Sequence, residues 1–239
     1  MQGAEEKTLA GTTLLEGLEE REIRRLEARC HWRRYSDGER VLDSGGGSRD
    51  VYFVVSGAVS IVNFSLSGKE VTLATAKAGS HFGELAAIDN LPRSASVVAV
   101  EDSLVAIMPA QTFLDLLQSQ AEVSFRVAKR LAEIVRLSDQ RIMELSTLAA
   151  TQRVYAELLR MAEPDSAVPD LWVIRPLPPL RVVASRVGTT RETVARALGA
   201  LYPTGLVRRK GRNLYLMDRA GLQEAITTMT TERAVKAGG

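Results

Sequence analysis

Apolar and polar positions recur along this chain with two different periods. From residue 32 to 108 the period is close to two, as in strands with one buried face. The strand-forming runs are 51–55, 59–64, 71–76, 94–100 and 104–108. Asp37-Gly38, Gly45-Gly46-Gly47, Ser56-Gly57 and Ser67-Gly68 read as the turns between strands. Many short strands punctuated by glycine predict an antiparallel roll or barrel. Upstream, Leu14, Leu15, Leu18, Ile23 and Leu26 fall near helical spacing among charges. They predict an amphipathic helix in two pieces, jointed near Gly17 and Glu19-Glu20. Residues 1–11 are expected to be flexible.

After Pro109 the period lengthens. Residues 111–149 contain no Gly or Pro and predict one long helix. Leu117, Ala121, Ser124, Ala128, Leu131, Val135, Ser138, Ile142, Leu145 and Ala149 form a heptad seam, which predicts a parallel two-helix contact with a second copy of the chain. Residues 152–161 form a further helix, and the proline-rich stretch 163–179 a loop with short strands. Residues 180–200 read as helix, turn, helix. Val182, Val183 and Val187 are the apolar side of the first helix, Gly188 the turn, Thr189 or Thr190 the cap, and Val194 and Leu198 the inner face of the second. Residues 206–216 read as a hairpin with a basic tip, and 224–239 as a short helix and loose tail. The expected organisation is α+β: a β-roll over 12–109, a dimerisation helix over 110–148 and a winged helix-turn-helix over 149–222.

Charge sharpens this division. Residues 170–239 hold 12 Lys+Arg against 5 Asp+Glu, a net +7, while the other 19 and 24 give residues 1–169 a net of −5. A basic end on an acidic remainder suggests that only the C-terminal part meets a polyanion. The one cysteine, Cys30, excludes an internal disulfide or a four-cysteine metal site. Residues 1–10 lack the apolar core of a signal peptide, and 51–68 is too polar to span a membrane, so a cytoplasmic location is expected. No paired acid/base or nucleophile constellation appears, so no enzyme activity is expected. His31 and His81, without metal-ligand spacing, give no reason to expect haem or a metal ion.

The chemistry concentrates in residues 81–96, HFGELAAIDNLPRSAS. Gly83 opens a short helical run through Leu85 and Ala86, whose free N–H groups can meet an anion. Arg93, after the Pro92 break, can return a guanidinium fork to the same place, beside Ser94. Glu84 offers an acceptor for hydroxyls. Backbone donors, a cation and a carboxylate together suit a sugar phosphate; the competing reading is a self-capping Glu84 and a solvated Arg93. In the C-terminal part, Thr190, Arg191, Glu192, Thr193 and Arg196 lie near the outer face of the second helix, at the end a recognition helix presents to the major groove. Arginine can bond guanine O6 and N7, and glutamate can accept from cytosine N4. Glu192 and Arg196 also suit a plain i,i+4 surface pair.

Two separated motifs resemble one family. FGELAAIDNLPRSAS resembles the phosphate-binding cassette of cyclic-nucleotide-binding domains. VGTTRETVARALGAL is similar to the helix-turn-helix of transcription regulators of the catabolite activator and FNR type. The resemblance covers roughly residues 14–220. It implies a jelly-roll-like nucleotide domain in which Arg93 pairs with the cyclic phosphate, Glu84 with the ribose 2′-hydroxyl, and Gly83 lets the backbone approach. It implies that a Thr-Ser pair on the long helix, here Ser138 and Asp139, meets the adenine. Asp139 departs from that pair and puts base preference in doubt. Pro179 stands where the family usually has Thr or Ser, and removes a phosphate contact. Arg191, Glu192 and Arg196 would read bases, Thr190 and Thr193 would hold phosphates, and Arg181, Arg209, Lys210 and Arg212 complete the expected DNA-facing set. The implied effector is cyclic AMP. The implied partners are double-stranded DNA with TGTGA-like half-sites, a second copy of the chain and RNA polymerase. Two alternatives stay open: another effector, such as cyclic GMP or none, or a nucleotide module acting through protein contacts.

Overall fold

The structure, a computed structural model, describes residues 7–65 and 70–237, the last eight of these by backbone alone. The Ser67-Gly68 turn lies outside the described residues. The chain forms two compact units, Met1–Val135 and Arg136–Gly239. The division falls inside a helix, upstream of the 148/149 boundary expected from sequence.

In the first unit a 3-10 turn, Thr13–Leu15, and α1 (Glu20–Glu27) precede eight strands. Gly17, with φ +82°, lies between the two pieces, as the sequence pattern anticipates. The strands are β1 (His31–Tyr35), β2 (Arg40–Leu42), β3 (Val51–Ser56), β4 (Ala58–Phe64), β5 (Glu70–Lys77), β6 (His81–Phe82), β7 (Ser96–Ala99) and β8 (Ser103–Met108), with α2 (Glu84–Asp89) between β6 and β7. They make two antiparallel four-stranded sheets, ordered β1-β8-β3-β6 and β2-β7-β4-β5. Strand β3 shows why VYFVV is continuously apolar. Tyr52 and Val54 join Tyr35, Val59, Phe82, Val97 and Val105 in the core of the roll. Val51 and Phe53 point the other way, into a second core with Leu14, Leu15, Met108, Phe113 and Leu116. A strand buried on both faces loses its alternation.

Residues 7–11 are not loose. Leu9 is fully buried, and the Glu27 carboxylate accepts from the Leu9 N–H at 2.7 Å and the Thr8 hydroxyl at 2.9 Å. The single long helix is also corrected. The run is two helices, α3 (Ala110–Ser119) and α4 (Ala121–Thr147), parted at Gln120, whose backbone is extended at φ −124°, ψ 93°. The Gln120 amide donates to Glu22 on α1 at 2.8 Å. Beyond the break, Val123 and Val127 enter the core of Leu14 and Phe113. Of the seam residues beyond the break, Ala121, Ala128, Val135, Ile142 and Leu145 are exposed.

In the second unit α5 (Ala150–Met161), β9 (Glu163–Pro164), β10 (Trp172–Ile174), α6 (Leu180–Val187), α7 (Arg191–Leu201), β11 (Val207–Lys210), β12 (Asn213–Leu216) and α8 (Arg219–Ala237) follow α4. Helix α8 is longer than the short helix and tail expected from residue 224 onward. The sheet runs β11-β12-β10-β9. Val154, Leu158, Val183, Val194, Leu198, Leu214 and Leu222 close one core beneath α6 and α7. The same unit buries a carboxylate. Glu157 on α5 accepts from Arg160 and, at 3.4 Å, from Arg186 on α6; Arg160 also donates to Glu144 near the end of α4 at 2.6 Å. Arg153 donates to the Leu148 carbonyl at 2.8 Å and to the Val187 carbonyl at 3.0 Å, closing the ends of α4 and α6. Among the described residues no helix is long and apolar enough to cross a membrane.

Glu157→Ala would leave two arginines facing a carboxylate that is gone, and should cost about 3 kcal/mol in urea unfolding followed on the second unit. His81 gives a pH prediction for the first. Burial, with Arg130 adding, pushes its imidazole down from 6.5 to about 4. Above pH 6.5 neither folded nor unfolded chain holds that proton; between 6.5 and 4 only the unfolded chain takes it up, so stability falls as pH falls through that window. In His81→Gln the urea midpoint should decline less steeply from pH 6.5 to 4.

Candidate functional site

The segment 81–96 folds as strand, short helix and return. Gly83 is the residue before α2, with φ +85°, a conformation that side chains rarely adopt. A Cβ there would stand 2.8 Å from Arg93 Nη1 and 3.3 Å from the Asp50 carbonyl, so space as well as φ demands glycine. Asn90 ends α2, also in the left-handed region at φ 58°. The irregular return between α2 and β7, residues 91–95, brings the Arg93 side chain back to Gly83 at the start of α2.

Arg93 is 4% exposed, not a solvated loop arginine. Its Nη1 donates to the Gly83 carbonyl at 2.8 Å, and its Nη2 donates to the Asp50 carbonyl at 2.6 Å and the Ser48 hydroxyl at 3.1 Å. Its guanidinium carbon stands 5.4 Å from the centre of the Tyr52 ring. Its Nε is buried with no hydrogen-bond partner. Burial pulls its pKa down, while Tyr52, Asp50 and Glu84 favour the cation. A buried guanidinium satisfied by neutral carbonyls carries a charge that no carboxylate neutralises by direct contact, and the group whose charge and acceptor geometry match it is an anion.

Glu84 is 7% exposed, and burial pushes its carboxyl above the usual range. Its own N–H, donating to the carboxylate, and the positive charges of Arg130 and Arg93 oppose that shift. A carboxylate has room for several donors, so these neighbours leave acceptor capacity on Glu84. Ala86 is buried; Leu85 is 39% exposed. Ser94 is exposed, and its carbonyl accepts from Asn63 at 3.1 Å. Ser138 and Asp139 are exposed on α4, in the other unit. Ser48, Asp50 and Tyr52, which hold Arg93, were not singled out from sequence. Gly45-Gly46-Gly47 was the available signal: such a run lets backbone carbonyls close over a neighbour.

In the second unit Gly188 (φ 66°) closes α6, and the Thr190 hydroxyl caps α7 by accepting the Thr193 N–H at 3.3 Å. Thr190 and Thr193 hydroxyls also lie 3.2 Å apart, and Arg196 donates to Thr193 at 3.4 Å. Arg191, Glu192 and Arg196 are exposed. Glu192 is held below the usual carboxylate range by its own N–H, the Thr190 hydroxyl and the charges of Arg191 and Arg196. Arg181 is exposed on α6. Arg209, Lys210 and Arg212 are exposed around the turn of the β11–β12 hairpin, where Arg209 donates to the Gly211 carbonyl at 3.2 Å. The arrangement brings exposed cations to both a helix suited to the major groove and a hairpin suited to the backbone.

Cys30 is buried with its thiol pushed up to about 12 by that burial, so it is not a thiolate at neutral pH. No cluster of metal-ligating side chains exists among the described residues.

Comparison with known proteins extends these observations. The model of the cyclic nucleotide-binding domain matches residues 32–120, and that of the Crp-like helix-turn-helix domain residues 152–225. The chain is 32% identical over 216 residues to the cyclic AMP receptor protein of Thermus thermophilus, spanning 90% of this chain and 97% of that one. It is 29% identical over 196 residues to the cAMP-activated global transcriptional regulator Vfr of Pseudomonas aeruginosa, spanning 80% and 91%. A solved CooA variant from Carboxydothermus hydrogenoformans shares the fold, with a TM-score of 0.72 at 23% identity over 83% of this chain and 88% of that one. A β-roll with a caged arginine, a long helix and a winged helix-turn-helix, matched along nearly the whole chain, place this protein in the Crp-Fnr family of cyclic-nucleotide-binding transcription regulators.

Proposed function

We propose that this chain is a cyclic AMP-responsive homodimer that binds a palindromic DNA site with TGTGA-like half-sites. The observation that carries the reading is Arg93, a buried guanidinium with an unpaired Nε beside Gly83. A cyclic phosphate supplies the charge and acceptors that this arginine lacks. Gly83, Leu85, Ala86 and Ser94 line the same segment, and Glu84 accepts the ribose 2′-hydroxyl. The family resemblance adds Ser138 and Asp139, both exposed on α4, as the expected base contacts. The cyclic AMP-named relative from Thermus thermophilus supports the choice of nucleotide. One observation favours a second effector: the exposed Asp139 carboxylate can accept from the adjacent N1–H and 2-amino group of a guanine, a donor pair that adenine, with a bare N1 acceptor beside its 6-amino group, does not offer. Cyclic GMP is the alternative.

The DNA reading rests on exposed Arg191, Glu192 and Arg196 at the start of α7, with Thr190, Thr193, Arg181, Arg209, Lys210 and Arg212 toward the phosphates. The dimer reading rests on α4, where Phe125, Val135, Ile142 and Leu145 are 69%, 58%, 60% and 58% exposed. Val135, Ile142 and Leu145 lie on the heptad seam with Phe125 beside it, and such a row is more stable covered by a like helix. Pairing two copies sets the recognition helices about 34 Å apart, one turn of DNA. Nucleotide binding biases the pair toward that arrangement, and DNA tightens the nucleotide by the same factor. RNA polymerase is the partner through which such a dimer would act on transcription, in a cytoplasmic setting.

Fluorescence anisotropy of a labelled TGTGA-type duplex at fixed salt should show binding tightened about tenfold or more by cyclic AMP, a coupling of over 1 kcal/mol, and the effect should vanish in Arg93→Ala. Arg191→Ala should cost about 1–3 kcal/mol of specific binding with nucleotide binding intact. Equal DNA affinity with and without either cyclic nucleotide would reject both as the switch. For the dimer, Ile142→Glu should shift sedimentation toward the monomer and weaken duplex binding about a hundredfold, since one half-site is lost. An unchanged sedimentation coefficient would place the contact elsewhere.

A further inference from the structure

Helix α2 is gripped at both ends by arginines that meet in one loop. At its start, Arg93 donates to the Gly83 carbonyl at 2.8 Å. At its end, Arg49 donates to Asn90, from Nη2 to the backbone carbonyl at 3.2 Å and from Nε to the side-chain Oδ1 at 3.3 Å. Arg49 also donates to the Gly47 carbonyl at 2.6 Å, which turns its guanidinium back onto its own loop. That loop holds Arg93: Ser48 Oγ and the Asp50 carbonyl accept from it, the Gly46 carbonyl accepts the Arg93 N–H at 3.3 Å, and the Arg93 carbonyl accepts the Gly45 N–H at 2.8 Å. A closed ring results, running from Asn90 through Arg49 and residues 47–50 to Arg93 and Gly83.

A six-residue helix has few internal hydrogen bonds of its own, and its last carbonyls are left without partners. Its position depends on what clamps its ends. From the ring we infer that Arg49 is a positioning residue for anion binding: it fixes the end of α2 and, through residues 47–50, the donors that aim Arg93. This rests on the proposed reading of the segment as a cyclic-phosphate site. Arg49 acts through its fork, not through its charge alone. It is near enough to Arg93 to disfavour that second cation electrostatically, so charge for its own sake is a cost. A lysine carries the charge but cannot bond Gly47 and both Asn90 acceptors at once.

The test uses the full chain, calorimetry, and four probes: cyclic AMP, cyclic GMP and the two phosphorothioate diastereomers of cyclic AMP. The diastereomers differ only in which exocyclic oxygen is sulfur, so their affinity ratio reports how the phosphate is cradled. Arg49→Ala and Arg49→Lys should both bind cyclic nucleotide about tenfold or more weakly and lose the diastereomer preference, with the ligand-free melting temperature unchanged. Wild-type affinity and ratio in Arg49→Lys would reduce Arg49 to a field charge and overturn the inference, as would wild-type behaviour in both. If Arg49→Ala lowers the melting temperature, Asn90→Gly decides. It keeps the left-handed backbone and the Asn90 carbonyl, and of the acceptors Arg49 uses it removes Oδ1. A shifted diastereomer ratio then supports the ring, and an unshifted one overturns it. If the wild type binds neither cyclic AMP nor cyclic GMP, the cyclic-phosphate reading itself fails and the inference falls with it. If it binds and only the Arg49 variants behave normally, the inference alone falls.

Discussion

A guanidinium closed into a fold without a carboxylate against it sets the terms for the first unit. Arg93 is almost wholly enclosed, and its contacts are the carbonyls of Gly83 and Asp50, the Ser48 hydroxyl and the face of Tyr52. Those neutral acceptors keep the cation bearable in a poorly solvated place without cancelling its charge. Around it the geometry is over-determined. Gly83 has no room for a Cβ, Tyr52 stacks on Phe82 at 5.1 Å within the core of the roll, and loop 45–50 bonds Arg93 at both its main chain and its side chain. The β-roll is in this sense a frame for one charge. Its strands converge on a segment that could not hold an arginine inward by local preference alone.

The second unit is built on the opposite plan. Its cations face outward, on α6, the start of α7 and the β11–β12 hairpin, where solvent screens them until a polyanion displaces the counterions. The buried charge there is the Glu157 carboxylate, matched by Arg160 and Arg186, and it ties α5 to α6 while Arg160 reaches Glu144 on α4. Removing a partner from such a buried pair costs more than the pair contributes, so the set holds the last turns of α4 against α5 and α6.

What could be read from the sequence follows from which features have a local signature. The five main strands, the turn at Gly188, the cap at Thr190 and the Gly83-to-Arg93 segment are written in alternation, glycine and capping residues, and each is found where the pattern puts it. The break at Gln120 has no such mark. Phe113, Leu116, Val123 and Val127 keep a helical spacing straight across it, and what accompanies the interruption is a tertiary bond from Gln120 to Glu22. Loop 45–50 was legible only as a glycine turn, because its contribution is backbone carbonyls, whose direction no side-chain pattern encodes. Leu9 was missed for a related reason: a lone leucine in a polar stretch shows no period, yet Glu27 pins it by its N–H. The seam on α4 is legible as periodicity; that Leu131 packs on the core of the roll while Val135, Ile142 and Leu145 stay exposed required the fold.

We propose that Arg93 is held ready for a phosphate. Calorimetric titration of the wild type and of Arg93→Ala with cyclic AMP and cyclic GMP, and with adenosine and guanosine as the matching nucleosides, tests it most directly. The wild type should prefer a cyclic nucleotide over its nucleoside by about a hundredfold or more, and Arg93→Ala should abolish the preference by weakening the nucleotide and not the nucleoside. Equal binding of nucleotide and nucleoside by the wild type, or a preference that survives in Arg93→Ala, would contradict it.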